Sequence, residues 1–303
     1  MGAVLLRASY FIIIIVLGYI MRAVGVLKRE DFVPLSRIVI RITLTASVIV
    51  SFNGREIDTT MLMLVLVGFG FDVLLMLIIG LMRRNSTAMD KAFHVLNITG
   101  CNIGNFVLPF VQSFLGPVSV MCVCLFDTGN SIICLGGGYG VACSIRDGNS
   151  RLDAKVILKA LFRSVPFITY FSMTVLCLLH ITLPAQFLDF VQIIANANAF
   201  LAMFMVGVGF KLAADSSNIR TMLRILGTRY AVGITLSLIT FYLLPLPLEY
   251  RQALAIVFLS PISGSILAFN AELKSDYGLA SAVNSMSILI SICLILGALM
   301  LIL

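Results

Sequence analysis

Residues 97–109 read Asn-Ile-Thr-Gly-Cys-Asn-Ile-Gly-Asn-Phe-Val-Leu-Pro. Three amides (Asn97, Asn102, Asn105), two glycines (Gly100, Gly104) and Pro109 thus interrupt a segment otherwise apolar enough to cross a bilayer. A spanning helix hides its backbone N–H and C=O groups from lipid, and Gly and Pro undo that arrangement. Broken backbone at membrane depth survives only where protein buries it or where it lines a wet cavity. The N–H groups freed at such a break favour a carboxylate, and Asn adds neutral donors with no charge to desolvate. Asn102, Gly104, Asn105 and Pro109 are therefore the first candidate substrate site. Close helix packing and inter-helix hydrogen bonds are the competing account. Residues 259–270, Leu-Ser-Pro-Ile-Ser-Gly-Ser-Ile-Leu-Ala-Phe-Asn, repeat the theme with Ser260, Pro261, Ser263, Gly264 and Ser265.

Asp127 lies mid-segment in Cys-Leu-Phe-Asp-Thr-Gly-Asn-Ser, sharing a helical face with Asn130 and Ser131. A carboxylate inside a bilayer is costly unless paired, hydrated or protonated, so it marks an ion or proton path by default. Its structural alternative is a tie from this segment to a polar neighbour, such as the break at 97–109. Asp72 in Phe-Gly-Phe-Asp-Val is the same case, with Arg37 or Arg41 as an imaginable partner. Those two arginines, four apart, share a face; Arg37 suits snorkelling, and Arg41, deeper, could face an anion. Asn196 and Asn198 fall on different faces, so at most one can point into a cleft between helices. His94 and His180 lie near segment ends and read as interfacial or hydrogen-bonded side chains and not as switches. Gly136-Gly137-Gly138 lacks the preceding strand and following Lys-Ser/Thr of a phosphate loop, which leaves close packing or a hinge. Seven dispersed Cys form no CxxC pair, so neither a disulfide nor a metal is assigned, and no cofactor is expected. Hydrolase signatures such as HExxH and GxSxG are missing, which argues against an enzyme.

These residues are set in a chain of 303 residues that is 60% hydrophobic and 12% charged. Soluble domains carry roughly 25% charged residues, so the expected class is an all-α integral membrane protein. A hydrocarbon core of about 30 Å needs about 20 apolar residues per helix. Ten segments qualify, near 4–24, 33–52, 60–82, 91–114, 117–144, 156–179, 184–210, 222–245, 250–271 and 277–302. The first is read as a retained span and not a cleaved signal, since no A-x-A site follows it. Five precede the polar stretch at 145–155 and five follow it. The division is 1–144, a linker at 145–155, and 156–303, with an interrupted span fourth in each half. An odd number of spans per half makes the second half enter from the opposite side, an inverted repeat.

The formal charge of +7 is dispersed among loops, so it serves orientation and not nucleic-acid binding. Loops after spans 1, 3, 5, 7 and 9 hold most of the Lys and Arg, including Lys28, Arg83, Arg84, Arg146, Arg151, Lys155, Lys211, Arg220, Arg224, Arg229 and Lys274. The other loops offer only Arg55 and Arg251. By the positive-inside rule both termini face outward and the 145–155 linker is cytoplasmic.

The chain resembles the auxin efflux carrier family, which belongs with the bile-acid and sodium/proton carriers. That family's fourth helix carries N-x-G-x-x-G-x-P; Asn102, Gly104 and Pro109 match, while Val107 replaces the second Gly. Gly25-Val26-Leu27, Met205-Val206-Gly207-Val208-Gly209 and Pro261 extend the likeness over essentially the whole chain, whereas Leu44-Thr45-Ala46 lacks the usual Pro. The resemblance implies a scaffold of helices 1, 2, 6 and 7 and a transport domain of helices 3–5 and 8–10. Helices 4 and 9 would cross as an X at Pro-containing breaks. It further implies a plasma-membrane permease for a small organic anion such as malate, malonate or auxin, working by an elevator movement. Asp127, Asn130 or Asp72 would serve a proton or sodium ion, and homodimerisation is expected by analogy alone. A sodium-coupled symporter of the same fold is the alternative, followed by a channel or sensor without turnover.

Overall fold

The computed structural model describes residues 2–148, 153–210 and 218–303. Its regular structure is helical, with one isolated backbone bridge and no strands among the described residues. In chain order the helices are α1 (Gly2–Ala23), α2 (Phe32–Ile38), α3 (Leu44–Phe52), α4 (Thr59–Met82), α5 (Ala88–Ile98), α6 (Leu108–Phe114), α7 (Pro117–Ile132) and α8 (Gly138–Asp147). The second half follows with α9 (Ala154–Leu161), α10 (Val165–Leu178), α11 (Ala185–Asn196), α12 (Asn198–Gly209), α13 (Ile219–Leu243), α14 (Leu248–Val257), α15 (Ser265–Leu273) and α16 (Tyr277–Ile302). Wide π-type turns at Val39–Thr43 and Ile133–Gly137 join α2 to α3 and α7 to α8; a third, Ile103–Val107, leads into α6.

Among the described residues six helical stretches are long and apolar enough to cross a membrane, and a seventh if α9 and α10, bent by 77°, count as one span. Length alone thus falls short of the expected ten. The remainder are α1 and the two interrupted pairs, α5/α6 and α14/α15. Within the expected linker at 145–155, α8 runs to Asp147 and α9 starts at Ala154, and residues 149–152 lie outside the described residues. Arg151 and Lys211 lie outside the described residues.

Capping follows local chemistry. Asp58 and Asp276 accept from the third N–H of α4 and α16, from Met61 at 2.6 Å and Leu279 at 2.9 Å. Packing relies on bare backbone. A Cβ on Gly68 or Gly129 would meet the carbonyl of Phe126 or Val65, so α4 and α7 touch main chain to main chain. Gly18 and Gly207 do the same for α1 and α12, against Phe204 and Ile15. Without a strong hydrophobic drive between helices in lipid, such close approach supplies the dispersion contacts that hold them. Phe71 of α4 and Phe126 of α7 then close around Phe258, just after α14, with Phe71 and Phe258 ring centroids 5.0 Å apart. This aromatic cluster seats the second interruption against the first half.

Candidate functional site

The two interruptions meet. After α5 ends, Gly100 takes a left-handed φ of +76°, where an added Cβ would lie 2.9 Å from the Cys134 sulfur. Both facts require glycine there. The exposed backbone then pairs antiparallel with the gap between α14 and α15. Asn102 N–H donates to the Pro261 carbonyl at 2.9 Å, and Ser263 N–H donates to the Gly100 carbonyl at 3.0 Å. Cys101 and Ile262 form the bridge at the centre. A reciprocal amide pair, Asn97 with Asn270 at 3.0 Å in each direction, fastens α5 to α15 beside it.

Side chains hold this short pairing from both flanks. Asn130 of α7 accepts from Cys101 N–H at 2.8 Å and donates to the Cys101 carbonyl at 3.0 Å. Asn284 of α16 donates to the Ile262 carbonyl at 3.0 Å, and the Ser287 hydroxyl accepts from Ile262 N–H at 3.1 Å. Each broken segment is thus read by an Asn from the helix that follows it. Asp72 of α4 accepts from Gly100 N–H at 2.8 Å; its other oxygen is buried and has no partner among the described residues. Asp127 stands one layer back, held by Asn130 Nδ2 at 2.7 Å and by the Tyr170 hydroxyl of α10 at 3.1 Å. Asp127 thus ties α7 to α10 through Tyr170, while the bond to the break is made by Asn130.

Arg229 was expected among the orienting loop charges, and that reading is corrected. It lies inside α13 and is fully buried. Its guanidinium donates to the Ile98 carbonyl at 2.6 Å and the Ser260 carbonyl at 3.1 Å, with longer bonds to the carbonyls of Gly100 and Pro261. Ile98 is the last residue of α5 and Ser260 lies three residues beyond the end of α14, so the guanidinium sits by the negative ends of two helix dipoles, which a cation offsets. Sequence reasoning missed it because an Arg ten residues into a helix that begins with basic residues looks like a headgroup anchor. Asn284 and Tyr170 were missed too; the Asn-Ser pairs at 130–131 and 284–285, one in each half, were the signal for Asn284.

The remaining candidates divide. Asn102, Gly104 and Asn105 are half-buried between the buried Ile103 and Phe106, so they share the accessible side of the turn. Asn102 makes no side-chain cap, and Asn105 Oδ1 is buried without a partner among the described residues. An added Cβ on Gly104 would come within 3.0 Å of Leu44. In the other interruption Ser263 pairs with Ser265 through hydroxyls 3.0 Å apart, and Gly264 is exposed with open space around it. Ser260 is buried and points its carbonyl at Arg229.

Pro109 is not at the break. It sits in the first turn of α6, and the chain is helical through it. Lacking an N–H, it leaves the Asn105 carbonyl without the usual donor four residues on, which suits the wide turn preceding α6. Arg41 is exposed beside Ile42, and neither it nor Arg37 hydrogen-bonds Asp72, whose partner is Gly100. Asn198 is buried, accepting from Thr43 at 2.9 Å and donating to Gln112 of α6 at 2.8 Å, whereas Asn196 is exposed.

A cavity of about 300 Å³ opens between α3, α6, α7 and α11, and no residue of the crossing lines it. Its polar lining comes from Ser47, Ser51, Gln112, Ser113, Gln192 and Asn196, all uncharged. Of the residues singled out in the sequence, only Asn196 lines it. The N–H groups of Gly100, Cys101, Asn102, Ile262 and Ser263 are all engaged at the crossing, so the half-buried amides of Asn102 and Asn105 are what it offers, while the cavity offers neutral hydroxyls and amides. Comparison with models of protein families and with curated proteins finds no match to this chain.

Proposed function

We propose that the chain is a secondary transporter of a small organic carboxylate, of the auxin efflux carrier type. In this reading ten spans form two inverted five-helix repeats, with α5/α6 and α14/α15 as the fourth span of each. Both termini face outward at the cell membrane. The observation that carries the proposal is the antiparallel meeting of two helix interruptions between Gly100–Asn102 and Pro261–Ser263. Paired interruptions in the two halves of a membrane chain point to a substrate site near the midplane. Here the half-buried amides of Asn102 and Asn105 flank the turn at 102–106 and are the neutral groups offered to an anion. The carboxylate binds there and is carried as α4–α8 and α13–α16 shift against α1–α3 and α10–α12. Malate, malonate and indole-acetate are the candidate substrates. Heat stability of the purified chain against a panel of such carboxylates tests the proposal. A true ligand at 100 times its Kd adds about 2.7 kcal/mol of apparent stability, whereas no shift with any carboxylate counts against it.

A further inference from the structure

Broken-helix carriers that use a metal cation hold it with unwound carbonyls and helix C-terminal ends. In this chain those oxygens are taken. Arg229 donates to the Ile98, Gly100, Ser260 and Pro261 carbonyls, drawing on both interruptions at once. Asn130 covers the Cys101 carbonyl, and Asn284 covers those of Ile262 and Ser263. Both oxygens of Asp127 are also engaged, by Asn130 and Tyr170. A sodium ion needs several free oxygens, and entering here would mean displacing an Arg from a dry site. The fully buried Asp72 carboxylate accepts from the Gly100 N–H with one oxygen, and its other oxygen is bare, one ligand where sodium needs several.

We propose that Arg229 is a tethered cation occupying the place of a coupling metal ion, so that the crossing works without sodium. This rests on the carrier reading above and decides against its sodium-symport variant. The guanidinium stays with the protein through the cycle, so the carbonyls of the two interruptions keep a cation without a co-transported one.

The test uses the full-length chain purified in detergent, with two readouts independent of substrate: ²²Na⁺ binding, and the unfolding midpoint in sodium chloride against choline chloride at equal ionic strength. The wild type should bind no ²²Na⁺ saturably and melt at the same temperature in both salts. Arg229→Ala should melt lower in choline and recover part of the loss in sodium, which then reaches the vacated carbonyls. Arg229→Lys, which keeps a tethered cation, should stay indifferent to sodium; it decides the matter should the Ala variant not purify. Saturable sodium binding by the wild type, a sodium response in Arg229→Lys, or an Ala variant as stable in choline as the wild type overturns the proposal. Carboxylate uptake read separately in proteoliposomes keeps the two claims apart. Absent uptake removes the carrier reading whatever sodium does, and uptake together with sodium binding removes only this inference.

Discussion

Asn130 and Arg229 show what single residues do at the crossing. Asn130 satisfies both backbone groups of Cys101, so Asn130→Ala leaves a buried donor and a buried acceptor bare. Each such group costs about 1–3 kcal/mol, and the variant should melt well below the wild type. Arg229→Ala strips a buried cation from carbonyls of both breaks and from the neighbourhood of Asp72. Losing one partner of a buried charge arrangement typically costs about 3–5 kcal/mol, and a thermal or denaturant melt reads it. Asn130 was legible because an amide and a carboxylate three apart on an apolar segment have few uses. Arg229 was not, since local charge counting cannot tell a side chain turned inward from one snorkelling outward. The two pairings suggested for Asp72 failed for the same reason: the direction of a side chain around a helix is set by partners distant in sequence.

At the scale of elements, apolar runs marked each helix within a few residues, because lipid demands continuous hydrogen-bonded backbone over a fixed length. The position of the first interruption was less visible. Glycine and proline both break helices, yet only Gly100 holds a left-handed φ, while Pro109 sits where a missing N–H is tolerated. Gly100→Ala should therefore damage folding and transport more than Pro109→Ala, as measured by yield of monodisperse protein and by uptake; the reverse order would misplace the break. The α4–α7 contact makes a second prediction. Gly129→Ala forces α7 off the Val65 carbonyl and should lower the melting temperature sharply, whereas Gly70→Ala, with open space around it, should be near neutral. The wide turn at Ile133–Gly137, with φ +147° at Gly136, answers the Gly136–Gly138 run as a bend in a long helix.

For the whole molecule, composition was enough to expect a helical membrane protein, and six stretches are long and apolar enough to cross a membrane among the described residues. The sequence could not show how the halves touch, because that contact is made by backbone atoms common to every residue. Bonds that link the proposed moving and stationary helices include Tyr170 to Asp127 at 3.1 Å and Asn198 to Gln112 at 2.8 Å. An elevator movement must break both. A Gln112→Cys/Asn198→Cys pair, once oxidised, should stop transport and release it on reduction; unimpeded transport in the crosslinked protein would rule out sliding at this interface. The most direct measurement is counterflow of labelled malate, malonate or indole-acetate in proteoliposomes, wild type against Asn102→Ala and Asn105→Ala. The account predicts saturable counterflow that falls about tenfold or more when either amide is removed, equivalent to about 1.4 kcal/mol of lost binding. Saturable counterflow of unchanged rate and KM in both variants would contradict it.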